Sequence, residues 1–330
     1  MEDLKKTHVN LDDAFKYPTH TSINTLGDNI GSVEKYDFSK ANLCYENRVA
    51  AISLVASICY QNPKAVGSIN LFNRLACEAS SLPSSAYEFV PVLLDYASPK
   101  HLELLKNDTF VKKYGELLEF TNDSGVLCKY LLTNYRALVF DYENQLAKMY
   151  QYASDRAKPN EWIEAEEIML KSRYLEFYNN EDECSIIKKY FKVYKFKVDL
   201  STRSQMVRHR VNWQELSRRY VSGDRVPFEF YISEKMSKIE LDAGYRNEDG
   251  KSVTFDMEEL CSLCVDFYNK AINSGIKPQE ARRIIPQAMY TDIWGAFQPK
   301  QLENFYNMRL DDAHAQREIN LIAKAMKGFE

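Results

Sequence analysis

The sequence predicts a mixed α+β protein, and two kinds of hydrophobic pattern support this prediction. Apolar residues recur at three-residue spacing between Glu46 and Tyr60, and the final third of the chain carries further stripes of helical period. Residues 194–198 instead alternate between apolar side chains and lysines, as a half-buried strand does. A hydrophobic fraction of 45% in 330 residues can form a substantial core. We therefore expect a packed globular chain.

The first half of the chain predicts helices and one short strand after a loop-rich start. Residues 1–40 lack convincing periodicity and are interpreted as a lead-in. The first helix is predicted to end before Pro63, and a second helix fits residues 67–80. The apolar run after Leu82-Pro83 is short enough to be a strand. Residues from 98 to about 182 are interpreted as several amphipathic helices.

The second half predicts two strands on either side of a basic segment, and then helices. The alternating strand lies in KKYFKVYKFKVDL, and RVPFEFYIS at 225–233 is the second strand candidate. An apolar stripe then runs from Leu260 to Ile272, and Gly275 stands in the C-terminal capping position. The run LENFYNMRLDDAHAQREINLIAKAM is also amphipathic and helical.

Charge, apolar runs and cysteines exclude several classes of protein. A formal net charge of -4 argues against general attraction to nucleic acid or an acidic membrane. The run at 49–60 is too short to span a bilayer, and the polar N-terminus lacks the apolar core of a signal peptide, so we expect a cytoplasmic protein. The seven cysteines do not resemble a disulfide framework. Cys261 and Cys264 form a CxxC that is expected to pack in the core, and no metal site is predicted.

The stretch RHRVNWQELSRRY, residues 208–220, concentrates four arginines with a histidine and a serine. Each guanidinium can bind two phosphate oxygens, and a hydroxyl completes such a cradle. The stretch therefore predicts a phosphate-bearing ligand, a nucleotide or a dinucleotide. Ser217 is interpreted as a phosphate ligand rather than a nucleophile, because neighbouring guanidiniums cannot accept its proton. His209 is expected to belong to the site. No P-loop or GxGxxG motif supports an ordinary nucleotide fold.

These residues resemble the signature of the flavin-dependent thymidylate synthases, the ThyX family. RHR is followed by Ser217 and by Arg219-Tyr220, with one residue fewer before the serine than in the family signature. The blocks YNKAINSGIKPQEARRIIPQAMYTDIW and LENFYNMRLDDAHAQREI resemble the C-terminal half of the family. Ser85 and Glu88 match an upstream flavin element, but its two histidines are missing from this chain.

The resemblance covers roughly residues 40–97 and 186–330. It implies a ThyX-like fold, with an antiparallel or mixed sheet flanked by helices. It also implies a single catalytic domain over residues 41–330, with an additional helical insertion at about 98–185. The implied activity is the reductive methylation of dUMP to dTMP without a cysteine nucleophile. The implied cofactor is FAD, with NADPH and methylenetetrahydrofolate as co-substrates, and the implied assembly is a homotetramer with sites shared between subunits.

The resemblance also assigns residues to the site. The implied flavin ligands are Ser85, Arg208, His209, Arg210, Glu215 and Asn304. The implied dUMP ligands are Gln205, Arg208, Glu215, Ser217, Arg219, Arg282 and Arg309. Arg309 is the predicted catalytic residue, because it would lie against the uracil ring and polarise it for hydride transfer from reduced FAD.

Two other functions remain compatible with these residues. The same arginines would serve a flavoenzyme that makes a different pyrimidine nucleotide, such as a 5-hydroxymethyl nucleotide. A non-catalytic RNA- or DNA-binding protein could instead use Trp213 and Tyr220 as stacking platforms beside the arginines.

Overall fold

The structure of the chain is a computed structural model. It describes residues 9, 19–22, 29–76, 84–107, 109–138, 177–310 and 313–330. These residues form helices and antiparallel sheets, so the predicted α+β class is confirmed. None of the helices in these ranges is long and apolar enough to cross a membrane.

Helices and strands alternate irregularly along the chain. Up to residue 134 they are β1 (Thr19–Ser22), β2 (Ser32–Tyr36), α1 (Tyr45–Ser57), α2 (Ile69–Ala76), β3 (Pro91–Asp95), α3 (Pro99–Asn107), α4 (Thr109–Lys113), β4 (Glu116–Thr121) and β5 (Leu127–Asn134). After the next described residue, 177, they are α5 (Glu181–Tyr190), β6 (Lys192–Asp199), α6 (Leu200–Met206), β7 (Asn212–Glu215), β8 (Leu241–Arg246), β9 (Ser252–Phe255), α7 (Met257–Asn273), α8 (Pro278–Ala281), β10 (Tyr290–Phe297), α9 (Pro299–Arg309) and α10 (Arg317–Lys327).

The basic segment is attached to a five-stranded antiparallel sheet with the order β1-β2-β6-β10-β7. The segment follows strand β6 and contains strand β7. Strands β6 and β10 pair over eight residues, with Tyr290 opposite Asp199 and Phe297 opposite Lys192. Tyr194, Phe196 and Val198 are fully buried, which confirms the predicted alternating strand. Helices α9 and α10 pack their apolar faces on this sheet. The sheet thereby places the ends of β6 and β7 near the C-terminal end of α9.

Part of the predicted lead-in belongs to this sheet, so the expectation of a segment without regular elements is wrong for residues 32–36. Strand β2 pairs with β6, and its Val33 is fully buried. Gly31 directly precedes the strand, and its φ of +146° is accessible mainly to glycine. A Cβ atom there would lie 1.9 Å from the carbonyl oxygen of Lys197. Two reasons explain why the sequence did not predict this strand. The close approach at Gly31 depends on β6, which is far away in sequence, and five residues are too few to give a clear periodic signal.

The segment after residue 98 is only partly helical, so the prediction of a wholly helical segment is wrong. Strands β4 and β5 form a hairpin, and β5 pairs with β3 to complete a three-stranded antiparallel sheet. The alternation in ELLEFT is short, but pairing with β5 buries one face of it. Residues 139–176 lie outside the described residues, and the extent of an insertion stays a prediction.

One further expectation from the second half needs correction, and one predicted helix carries an exposed apolar face. Residues 225–233 form no regular strand and contribute a single bridge, between Phe230 and Met289. Helix α7 forms as predicted, but its apolar stripe is not core: Leu263 is 47% and Phe267 is 62% exposed. Periodicity indicates an apolar face, whereas the neighbours that cover this face depend on the tertiary structure or on another chain.

Candidate functional site

The basic segment is an ordered part of the fold rather than a loop between two strands. Asp199 caps α6, because its carboxylate accepts hydrogen bonds from the backbone N–H groups of Ser201 and Thr202. After the turn at residues 207–211, strand β7 pairs with β10 and forms the edge of the sheet. In this pairing Glu215 lies opposite Ile293. The polar side chains of this segment therefore lie in two groups, one on α6 and the other on β7.

The predicted catalytic residue, Arg309, is held against the basic segment at the C-terminal end of α9. Its Nε atom donates to Nε2 of His209 at 2.8 Å, and its Nη2 atom donates to the carbonyl oxygen of Gln205 at 3.3 Å. The backbone oxygen of Arg309 accepts a hydrogen bond of 2.8 Å from Asn320. The structure thus brings Arg309 together with His209 and Gln205, which precede it by 100 and 104 residues. Both ends of the arginine are fixed in position.

His209 is the buried member of this group, with 7% of its surface exposed. Its ring packs against Phe305 with 4.8 Å between the centroids, and its carbonyl oxygen accepts from Trp213 Nε1 at 3.1 Å. Burial and the positive charge of Arg309 lower the pKa of His209, while a hydrogen bond with Asn304 acts in the opposite direction. A neutral imidazole can accept from the Arg309 guanidinium, so this arrangement needs the unprotonated ring.

We expect folding stability to fall as the pH decreases through the range just below the ordinary histidine pKa of 6.5. The unfolded chain gains a proton on His209 there, whereas the folded chain resists it. Urea unfolding at about pH 7.5 and about pH 5.5 measures this difference. His209→Gln, which keeps an acceptor for Arg309, should show a smaller loss, and the exposed control His314→Gln should behave like the wild type. An unchanged pH dependence in His209→Gln would contradict the assignment.

Four arginines line a pocket of about 300 Å³ beside α6 and β7. They are Arg203, Arg218, Arg282 and Arg283. Glu215 also lines it, and its carboxylate accepts from both Nε and Nη2 of Arg203, forming a bidentate ion pair. Two of the implied dUMP ligands, Glu215 and Arg282, therefore meet in one pocket. One glutamate against four guanidiniums leaves the pocket strongly electropositive.

Arg218 is the buried arginine of this pocket, with 6% of its surface exposed. Its Nη1 atom donates to the carbonyl of Val226 at 2.6 Å, its Nη2 to that of Pro227 at 3.2 Å, and its guanidinium lies 4.5 Å from the ring centre of Phe228. Its buried Nε has no hydrogen-bond partner among the described residues. Burial lowers the pKa of Arg218, but an arginine stays charged. A buried cation with an unsatisfied donor favours an anionic ligand.

A third polar group lies beside β7 and includes the predicted flavin ligand Ser85. Its hydroxyl donates to Oε1 of Gln214, whose Nε2 donates to the sulfur of Cys59 at 2.6 Å. Glu88, the other residue matched in the upstream element, forms an ion pair with Arg136. The two matched residues are therefore both bonded within the chain, Ser85 to an amide and Glu88 to a guanidinium.

The remaining predicted ligands lie at the surface of the same segment. Arg208, Arg210 and Arg219 are exposed. The Arg219 guanidinium lies 5.2 Å from the ring centre of Tyr220, and Tyr220 packs against Tyr60 with 5.4 Å between centroids. The backbone N–H of Ser217 donates to the carbonyl of Cys59 at 3.2 Å. Direct contacts between these arginines and the Arg309 group stay a prediction.

Sequence reasoning missed several residues at this site. They are Cys59, Arg136, Arg203, Gln214, Arg218 and Arg283. Arg218 belongs to the basic stretch and Arg203 lies just before it, so their positive charge could have identified them as ligands of an anion. Cys59 and Arg136 lie far from the motif in sequence and reach it only through the packing of α1 and the β3–β5 sheet.

These features define an α+β protein with an arginine-lined site for an anionic ligand. A family model described as thymidylate synthase complementing protein matches residues 139–328, more than half of the chain. The chain belongs to this family. It is 31% identical over 134 residues to a flavin-dependent thymidylate synthase from Tropheryma whipplei strain TW08/27, covering 36% of this chain and 55% of the relative.

Other relatives share a similar part of the chain. A flavin-dependent thymidylate synthase from Kosmotoga olearia is 27% identical over 146 residues, covering 41% of this chain and 60% of the relative. The chain spans about half the length of the curated relatives it matches. A solved structure of the UMP/dUMP methylase PolB from Streptomyces cacaoi with 5-Br UMP is 19% identical, covers 42% of this chain and 67% of that one, and has a TM-score of 0.31. This score is too low to support a structural argument.

Proposed function

We propose that this protein is a flavin-dependent thymidylate synthase that converts dUMP to dTMP by reductive methylation. The observation that carries the proposal is the fixed position of Arg309, held by His209 and by the carbonyl of Gln205. The same basic segment contributes Arg203 and Arg218 to the electropositive pocket. The family of the chain and the names of its relatives agree with this activity.

The arginine pocket is proposed to bind the phosphate of dUMP. Arg282 and the unsatisfied Nε of Arg218 supply charged donors, and Glu215 can accept from a hydroxyl or an imide N–H of the nucleotide. Ser217, Arg208 and Arg219 complete the proposed set of dUMP ligands, together with Gln205. Guanidinium groups bind phosphate more firmly when other atoms hold them in place, as Glu215 holds Arg203.

The donors present also fit a flavin nucleotide. Ser85 offers a hydroxyl, Asn304 an amide, and Arg208 and Arg210 offer exposed guanidiniums, which suit the diphosphate and the polar edge of a flavin. His209 would act mainly by positioning Arg309, because its ring is buried and bonded. When bound, FAD would supply a hydride after reduction by NADPH, and methylenetetrahydrofolate would supply the carbon unit.

Arg309 is the proposed polarising group. A guanidinium aimed at a pyrimidine carbonyl stabilises the negative charge that develops on the ring, and a fixed donor needs no reorganisation during the reaction. His209 and Gln205 supply this fixed orientation by accepting from two different nitrogens of the guanidinium. No thiolate addition to the ring is required in this scheme.

A product assay tests the proposal directly. Purified protein is incubated with dUMP, methylenetetrahydrofolate, NADPH and FAD, and each component is then omitted in turn. We expect the protein to purify with bound yellow flavin and, once this flavin has been removed, to form dTMP only in the complete mixture. Formation of dTMP without flavin would contradict the proposal, and formation of a 5-hydroxymethyl nucleotide would assign a related but different reaction.

Cys59 provides a sharper test of the mechanism, because it is a thiol that lies beside the basic segment. We expect Cys59→Ala to keep turnover within about threefold of the wild type, since the thiol bonds Gln214 only as a weak acceptor. Steady-state assays of dTMP formation measure the effect. Loss of turnover by a factor of about 1,000, with the fold and flavin content unchanged, would indicate a nucleophilic cysteine instead.

We propose that the exposed apolar face of α7 contacts a second copy of the chain in a homotetramer. Leu263 and Phe267 are about half exposed or more, and Leu241 and Tyr245 of the β8–β9 hairpin are 55% and 57% exposed. Large apolar surfaces of this kind are uncommon on monomers. We expect Leu263→Glu/Phe267→Glu to lower the molar mass found by light scattering, whereas Lys270→Glu on the same helix should not. An unchanged mass in the double variant would contradict this interface.

A further inference from the structure

A second cavity, of about 640 Å³, lies on the other side of α9. It is enclosed by β2, the junction of α5 and β6, α9 and α10. Leu302, Glu303 and Tyr306 of α9 line it, and their spacing of three and four residues places them on one side of the helix. Asn304 lies about 100° away around the helix from Glu303, and it bonds His209 instead. The cavity is therefore separate from the arginine pocket.

Four lysines line this cavity against two glutamates. Lys35 and Lys192 are partly buried, and each donates only to a backbone carbonyl: Lys35 to Phe329 at 2.7 Å and Lys192 to Lys188 at 2.8 Å. Within the described residues, neither has a carboxylate at ion-pair distance. Burial lowers the pKa of both lysines, and the charge of Lys35 lowers that of Lys192 further.

The nearby carboxylates are already used by other groups. Glu330 accepts from Tyr306 Oη at 2.9 Å and from Lys327 Nζ at 2.6 Å. Asp37, which lies near the two partly buried lysines, pairs with Lys188 at 2.9 Å. Glu303 is the remaining acid of the lining and is exposed. Two like charges are thus held close together without a carboxylate of their own, an arrangement that an anion would stabilise.

Apolar and aromatic side chains also line the cavity. Tyr190, Leu302, Tyr306 and Leu310 line it, together with Pro299. Tyr306 is 8% exposed, and the Lys327 ammonium lies 5.0 Å from its ring centre. Such a lining suits a flat ring better than it suits a small inorganic ion. A volume of this size can hold a ligand as large as a nucleotide.

We propose that this cavity binds an organic anion that joins an aromatic ring to a group with two or more negative charges, as a nucleoside diphosphate does. Lys35 and Lys192 contact the charged group from the inner end, and Lys189 and Lys327 contact it from the rim. The ring lies against Tyr190 and Leu302. This site is independent of the proposed thymidylate synthase reaction.

Calorimetric titration of the full chain with ADP tests the site, with pyrophosphate and adenosine as separate probes of charge and ring. ADP is expected to bind at least about tenfold more tightly than either fragment, and the affinity should fall as salt is added. Lys35→Gln/Lys192→Gln, which keeps donors for both carbonyls, should weaken ADP binding by about tenfold or more. The exposed control Lys251→Gln should bind ADP like the wild type.

Two further variants distinguish loss of the site from failure to fold and from ADP binding in the arginine pocket. Lys189→Glu changes an exposed rim residue, so it tests the site even if the double variant fails to fold, and it should also weaken ADP binding. Arg282→Gln should leave this binding unchanged, because it alters only the arginine pocket. Loss of ADP binding in Arg282→Gln but not in the lysine variants would overturn the proposal. Equal affinities for ADP and pyrophosphate, or absence of ADP binding, would overturn it too.

Discussion

Arg309→Ala is expected to reduce the rate of dTMP formation by a factor of about 100 to 1,000, equivalent to about 3 kcal/mol of transition-state stabilisation. The variant removes a charged donor that His209 and Gln205 hold in one orientation. Water that fills the space cannot reproduce this fixed charge. Single-turnover assays with saturating dUMP measure the effect on the chemical step, separate from substrate binding.

Arg309→Lys separates charge from geometry in the same position. Lysine keeps the positive charge but offers a point charge rather than a planar fork, so it cannot serve His209, Gln205 and the pyrimidine together. We expect it to recover only part of the lost rate. Arg74→Ala, on the exposed side of α2, is the matched control and should leave turnover unchanged. Wild-type turnover in a folded Arg309→Ala variant would refute the catalytic role.

Arg282→Gln is expected to weaken the binding of dUMP by a factor of about 10 to 100, which corresponds to about 1.4 to 2.8 kcal/mol. The arginine pocket would lose a charged hydrogen bond to the phosphate, while Arg309 and its partners would remain in place. KM for dUMP should therefore rise much more than kcat falls. Equilibrium titration with dUMP and steady-state kinetics measure the two effects separately.

The control for this variant is Arg74→Gln, which removes an exposed arginine of α2 and should change neither constant. Deoxyuridine, which lacks the phosphate, sharpens the comparison. If Arg282 contacts the phosphate, the variant and the wild type should bind deoxyuridine equally weakly. A variant that binds dUMP like the wild type would contradict the placement of the phosphate in this pocket.

Much of the secondary structure follows from local patterns. The three-residue spacing before Pro63 corresponds to α1, and the alternation from Tyr194 to Val198 corresponds to β6. These predictions succeed because each element buries a face that its own sequence marks. Strand β2 was missed because five residues carry too little pattern, and its pairing depends on Gly31 lying against β6.

The exposed stripe of α7 shows what the hydrophobic period leaves undecided. Leu263 and Phe267 have the spacing of a buried helix face, yet the described chain leaves them exposed. Hydrophobic period reports which side of a helix avoids water, but it does not report whether the cover comes from the same chain. An interface between subunits and a core therefore have the same appearance in the sequence.

By itself, the sequence determined that the chain combines helices and strands and that the stretch 208–220 is suited to a phosphate-bearing ligand, because period and side-chain chemistry are local properties. Only the tertiary structure decided that Arg309 bonds His209, that Arg218 and Arg282 share one pocket, and that Cys59 lies beside Gln214. These contacts join residues distant in the chain, so they depend on how β6, β7, β10 and α9 pack together.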